Sequence, residues 1–183
     1  MREFILASAS PRRREILKRQ GYNFVIEPSG VEEKKDLSLS KEELAVSLAA
    51  QKAEAVFEKE RRPVLGADTI VVFDGEILGK PKDVAENLKF LNALSGKEHV
   101  VITGYCFISE KGEIKGFDSA KVKFRELSES EKTAYAESGL GLDKAGGYGI
   151  QDGFGLVESV EGDYDTVVGL PMKKIADILE KNL

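Results

Sequence analysis

The chain has one cysteine, Cys106, and one histidine, His99. A single thiol excludes an internal disulfide and a cysteine-based zinc site. A single imidazole leaves no second histidine for a metal, and no Ser-His-Asp set assembles around it. Cys106 lies in an apolar run and reads as a small buried hydrophobe. His99 reads as a strand residue with a local partner. There is no basic excess: 27 Lys and Arg stand against 32 Asp and Glu, for a formal net charge of −5. That balance argues against a nucleic-acid partner held by its phosphates. An anionic small molecule can still bind at a local basic site. The N-terminus lacks the apolar core of a signal peptide, and no stretch reaches the roughly 18 apolar residues of a membrane span. The expectation is a cytoplasmic protein with no membrane partner. Low-complexity linkers, internal repeats, the P-loop spacing and the dinucleotide fingerprint are all missing. What remains is 183 residues, 42% of them hydrophobic. That is enough for a core without staples, and it is expected to form a single domain over 1–183.

Along the chain, apolar runs and amphipathic stretches alternate. Phe4 to Ala7 is a buried-strand run, broken at Ser8-Ala9-Ser10-Pro11. Ser10 is placed to cap a helix that Pro11 opens and Gly21 ends. Ser40 and Glu43 form a capping box for a second helix, whose apolar stripe is Leu44, Ala45, Leu48, Ala49, Ala53, Val56 and Phe57. Val64 to Phe73, the Asp74-Gly75 turn and Glu76 to Leu78 make a hairpin. Val84, Leu88, Leu91 and Leu94 mark a third helix closed by Gly96. His99 to Ile108 and Phe117 to Phe124 read as strands. Ser128 and Glu131 box a helix ending near Gly139. A glycine-rich stretch, Gly139 to Gly155, precedes a strand over Leu156 to Val160, and Pro171 opens a last helix. The alternation predicts an α/β fold with a mixed sheet.

Four polar features resist a purely structural explanation. Arg12-Arg13-Arg14 stands in the first turn of a helix, where cations oppose the dipole. A bound phosphate would reconcile them, with free backbone N–H groups and guanidinium converging on it. Arg13 falls on the face of Ile16 and Leu17, and Arg14 points more outward. Lys52 sits on the apolar stripe of the second helix. It either snorkels to water or reaches a phosphate-lined site. Asp68 interrupts an apolar strand, which is costly unless the carboxylate is paired or binds metal. Lys80, just past the hairpin, is near enough in sequence to join it. The glycine-rich stretch carries Asp143, Lys144 and Gln151, and its glycines permit close approach to a ligand or simply form a loop.

Taken in order and over nearly the whole chain, these segments resemble the Maf family, sometimes called septum formation inhibitor proteins. The resemblance rests on Leu6-Ala7-Ser8-Ala9-Ser10-Pro11-Arg12-Arg13, Val31-Glu32-Glu33, Gln51-Lys52-Ala53, Gly66-Ala67-Asp68-Thr69 and Gly79-Lys80-Pro81. It continues through Asp143 to Gln151 and closes with Val168-Gly169-Leu170-Pro171. It implies a fold like the inosine-triphosphate pyrophosphatases, with a long mixed sheet flanked by helices and two lobes around a cleft. It also implies hydrolysis of a nucleoside triphosphate to the monophosphate and pyrophosphate. Gln at position 151 is similar to the branch acting on dTTP and UTP; the branch acting on 7-methyl-GTP has Glu there. Asp152 departs from the family pattern, in which glycine is common at that place.

On this resemblance Asp68 is the general base, and Arg13, Lys52 and Lys80 complete the catalytic set by holding the triphosphate. Ser8, Ser10, Arg12, Thr69 and Gln151 bind substrate and set its choice. Glu33 and Asp68 contact a divalent metal, with Mg²⁺ the expected ion and Mn²⁺ or Co²⁺ alternatives. A homodimer is compatible with the reading. The rival class is a non-catalytic nucleotide sensor or partner-binding regulator of cell division. Such a protein has no evident need for Asp68, because a carboxylate repels a triphosphate unless metal or a proton intervenes. RNA binding through the arginines lacks an aromatic platform near them.

Overall fold

The structure is a computed structural model that describes residues 3–183. A seven-stranded mixed sheet has the order β2-β1-β3-β5-β6-β7, with β4 paired to β3. The strands are β1 (Phe4–Leu6), β2 (Phe24–Ile26), β3 (Val64–Phe73), β4 (Glu76–Leu78), β5 (Glu98–Ser109), β6 (Gly112–Phe124) and β7 (Val157–Glu161). The helices are α1 (Pro11–Arg19), α2 (Lys41–Glu60), α3 (Val84–Leu94), α4 (Glu129–Glu137), α5 (Tyr164–Val168) and α6 (Met172–Asn182). β1 pairs in parallel with both β2 and β3, whereas β3–β4 and β6–β7 are antiparallel. No described helix is long and apolar enough to cross a membrane.

The local signals act where expected. Ser40 and Ser128 each complete a reciprocal capping box, with Glu43 and Glu131; such a cap contributes about 1 kcal/mol. Asp74 and Gly75 both adopt positive φ, as a two-residue hairpin turn requires. Three features differ from expectation. Ser10 occupies the N-cap of α1 but its side chain makes no capping bond; instead its backbone N–H donates to Ser8 Oγ at 3.3 Å. The strand β2, a short Phe-Val-Ile run, and the five-residue helix α5 are both additional to the expected elements. β6 begins at Gly112 rather than Phe117, through an exposed charged segment that only pairing makes extended.

The chain divides into two compact units. The first comprises residues up to Thr69, Thr103–Asp118 and Gly169–Leu183. Its core includes Ile5, Ala7, Ala49, Ala50, Ala53, Val56, Val64, Cys106 and Ile108, all buried. The side chains α2 turns to the sheet are small for a reason. A Cβ on Gly66 would strike the Ala49 carbonyl, and one on Gly104 would strike the backbone of Ala45. Glycine on the strands beneath alanine on the helix lets backbone approach backbone. Gly66 and Asp68 are two residues apart on β3 and share a strand face. The same close approach therefore sets Asp68 beside α2.

The second unit comprises Ile70–Ile102 and Ser119–Val168. Its core gathers Val71, Leu91, Leu94, Val101, Val122, Phe124, Tyr135, Tyr148 and Leu156. His99 is buried there, edge-on to Phe124 and Tyr148 at 5.3 Å each, and its Nε2 meets the Tyr148 hydroxyl at 2.7 Å. Desolvation pushes its pKa down from 6.5 to about 4.

Candidate functional site

The first turn of α1 contains no acidic residue, yet it buries a guanidinium. Each edge of the Arg13 fork has a partner. Nε donates to the Gly169 carbonyl at 2.7 Å, Nη1 to Ser8 Oγ at 2.9 Å, and Nη2 to Thr69 Oγ1 at 3.2 Å. Thr69 Oγ1 also meets Thr103 Oγ1 at 2.9 Å. All these partners are neutral, so none cancels the positive charge. Burial lowers the guanidinium's pKa, offset in part by the fields of Asp68 and Glu33; an arginine nevertheless stays protonated. The result is a fixed cation at a helix N-terminus, where backbone N–H groups already favour an anion. Arg14 lies outside this arrangement, its half-exposed side chain 3.5 Å from Glu15.

Lys52 does not snorkel. Its ammonium turns inward between two carboxylates, bonded to Asp68 Oδ1 and 3.0 Å from Glu33 Oε1. The Lys52 and Asp68 side chains are 15% and 14% exposed, and that of Glu33 is 34% exposed. Glu33 comes from a segment without regular structure, and its neighbour pins that segment to α2. Lys34 N–H donates to Gln51 Oε1 at 2.9 Å, and Gln51 Nε2 donates back to the Lys34 carbonyl at 3.0 Å. Gln51 precedes Lys52, so one helix turn holds both the Glu33 loop and the lysine that Glu33 faces.

The structure thus gathers Ser8, Arg13 and Thr69 into one cluster, and Glu33, Lys52 and Asp68 into another. Asp68 and Thr69 are neighbours on β3 and join the two. Ser10 contributes through its backbone. Arg12 is half-buried in the first turn of α1. Lys80 and Gln151 belong to the second unit, and both are exposed. Their segments are tied together there: Gly146 N–H donates to the Gly79 carbonyl at 3.1 Å.

Sequence reasoning gave no site role to Thr103, nor to Gly169 and Gln51, which entered only as parts of the family motifs. Thr103 was findable, because a polar residue within the apolar run of β5 carries the same signal that singled out Asp68. Gly169 contributes a backbone carbonyl 156 positions from Arg13, and no side-chain pattern announces that.

The chain matches the Maf-like protein family over residues 3–182, and it belongs to that family. It is 50% identical to the dTTP/UTP pyrophosphatase of Thermococcus gammatolerans over 177 residues, covering 96% of this chain and 95% of that protein. It is 49% identical over 183 residues to the dTTP/UTP pyrophosphatase of Pyrococcus furiosus, covering 98% and 95%. The corresponding protein of Thermus thermophilus is 49% identical over 176 residues, covering 96% and 92%. Among solved structures, the Staphylococcus aureus Ham1 protein superposes with a TM-score of 0.57 at 13% identity, covering 100% of both chains. A HAM1 protein from Coxiella burnetii gives 0.56 at 13% identity, covering 99% of this chain and 100% of that one. These two share the fold.

Proposed function

We propose that this chain is a cytoplasmic nucleoside triphosphate pyrophosphatase acting on dTTP and UTP, working as a single domain over 1–183. The observation that carries this reading is the Lys52 ammonium held between the Asp68 and Glu33 carboxylates, in the same unit as the buried cation Arg13. A site that only bound a triphosphate would gain from the cations and lose from the carboxylates. Hydrolysis uses both. Asp68 takes a proton from water as the water oxygen bonds to the α-phosphorus. The bond from that phosphorus to the bridging oxygen breaks, and pyrophosphate leaves. Arg13 and Lys52 hold phosphate oxygens and meet the charge that develops there. Lys52 is already poised between anions, so a phosphate oxygen can replace a carboxylate partner. That exchange frees Asp68 to act as base.

Ser8 and Thr69 fix the Arg13 fork, while Ser10 and Arg12 line the start of α1 for substrate. Lys80 is a further phosphate contact, and Gln151 reads the base. A glutamine amide offers both donor and acceptor, matching the mixed edge of uracil or thymine.

The residues present fit a divalent cation. Glu33 and Asp68 already converge on one positive charge, and two carboxylates suit Mg²⁺, which completes its shell with phosphate oxygens and water. Among the described residues no cluster of three or more His, Cys, Asp or Glu would hold a metal by protein ligands alone. Bound there with substrate, the ion would supply neutralising charge to the phosphates; Mn²⁺ or Co²⁺ would serve the same donors.

The test is release of pyrophosphate by the purified protein across a nucleotide panel with and without Mg²⁺. The reading expects dTTP and UTP to be turned over best and metal to be required. Tight nucleotide binding without turnover would favour the non-catalytic regulator instead.

A further inference from the structure

Gln151 occupies a corner of a tight turn. The Asp152 N–H donates to the Gly149 carbonyl at 3.1 Å, which puts Ile150 and Gln151 at the two corner positions. Both ends of this turn meet at one buried atom. The Gly149 N–H donates to the Tyr135 hydroxyl at 2.9 Å, and that hydroxyl donates to Asp152 Oδ2 at 2.6 Å. A phenol has one proton to give and lone pairs to accept with, and here it uses both on the same turn. The Tyr135 ring is fully buried on α4, so the hydroxyl is anchored to a helix. Lys144, itself buried, lies 3.5 Å from Asp152 Oδ2 and is also bonded to Asp143 and to the Leu140 carbonyl. The backbone leaves space for this closure: a Cβ on Gly149 would come within 2.5 Å of the Asp152 carboxylate. Gln151 itself is exposed. Its amide thus projects from a turn whose two ends are tied down.

We propose that Tyr135 and Asp152 are positioning residues for base selection, clasping the Gly149–Asp152 turn so that the Gln151 amide is held in one orientation. The proposal rests on the reading of Gln151 as the base contact. A loose turn would let the amide rotate to offer donor or acceptor to any base edge, and discrimination would fall while phosphate chemistry continued. Loss of the hydroxyl in Tyr135→Phe removes both bonds at once. Asp152→Ala removes one and leaves Lys144 its other partners. Asp152→Asn keeps an acceptor for the Tyr135 hydroxyl.

The experiment measures kcat and KM for dTTP and dGTP in the wild type and in Tyr135→Phe, Asp152→Ala, Asp152→Asn, Gln151→Ala and Tyr135→Phe/Gln151→Ala, with circular dichroism checking the fold of each. The ratio of kcat/KM for dTTP to that for dGTP should fall about tenfold in Tyr135→Phe and in Asp152→Ala, the scale of one or two hydrogen bonds. The loss should appear in KM for dTTP, with kcat little changed. Asp152→Asn should keep most of the ratio, and the double variant should be no less selective than Gln151→Ala alone. If Gln151→Ala loses selectivity while Tyr135→Phe and Asp152→Ala retain it, the clasp is refuted and the base contact stands. Selectivity unchanged in Gln151→Ala refutes the base contact and the clasp with it. Should Tyr135→Phe fail to fold, the Asp152 pair decides, because Asp152→Ala leaves the buried ring in place.

Discussion

Replacing Asp68 by Asn separates chemistry from architecture. The amide keeps the carboxylate's shape and can still accept a hydrogen bond from Lys52. A bond to a charged acceptor becomes one to a neutral acceptor, a loss of about 1–2 kcal/mol. Removing one partner of a buried ion pair can cost about 3–5 kcal/mol when the other charge is stranded. Lys52 is not stranded here, because Glu33 stays 3.0 Å away. The smaller figure therefore applies, and it corresponds to a fall in Tm of roughly 2–8 °C for a chain of this size. The variant should be folded at the assay temperature. Loss of a general base, by contrast, lowers kcat by roughly 10²–10⁴-fold, or about 3–5 kcal/mol of barrier. The assay is the initial rate of pyrophosphate release from dTTP, with nucleotide affinity measured by calorimetry and Tm followed in parallel. The Mg²⁺ concentration is raised until the rate saturates. Asp68→Asn should bind nucleotide nearly as well as the wild type and turn it over at roughly 1% of the wild-type rate or less. Turnover within about threefold of the wild type would refute the assignment of Asp68 as base. So would full recovery at high Mg²⁺, which would reduce Asp68 to a metal contact.

Arg13→Lys keeps the charge but cannot satisfy Gly169, Ser8 and Thr69 at once, so kcat/KM should fall for every nucleotide alike, by roughly tenfold or more. Arg14→Ala should change it by less than about twofold, and equal damage from the two would refute the reading of the α1 face. His99 gives a pH dependence of stability. Its folded pKa, about 4, lies below the ordinary 6.5, so the unfolded chain binds the proton more readily. The stabilisation from keeping His99 neutral is present above pH 6.5 and is lost as pH falls from there toward 4, at most about 3 kcal/mol. The melting temperature of His99→Gln should therefore drop less than that of the wild type between pH 7 and pH 4.5; equal drops would contradict this. Gln151→Glu should depress turnover of dTTP and UTP more than triphosphate binding, as kcat/KM and binding across the panel will show. A wild type that prefers 7-methyl-GTP would overturn the base assignment while leaving pyrophosphate release intact.

Interactions between near neighbours in sequence were legible without coordinates. The Ser40–Glu43 and Ser128–Glu131 boxes and the Asp74-Gly75 turn each depend on groups within three or four residues, so their residue types announce them. The stripe of α2 and the apolar run of β3 were legible for a related reason: burial of one face imposes a period. That period also exposed Asp68 and Lys52 as misfits. It left the direction of Lys52 undecided, because a lysine on a stripe reaches water as readily as a partner. Only the close approach of α2 to Gly66 and Gly104 turned the ammonium onto Asp68, while the Gln51–Lys34 clasp brought Glu33 to its other side. The same holds for Arg13, whose helical face could be assigned but whose three partners lie 5, 56 and 156 positions away. β2 is a short apolar run, Phe24-Val25-Ile26, whose residue types favour a strand but do not name its partner; the parallel edge of β1 supplies that. The sequence by itself determined which residues are chemically out of place and which short-range structures form. Tertiary structure decided what those residues touch, because a charge inside a fold takes its partner from whatever distant backbone and side chains the packing brings within hydrogen-bond reach.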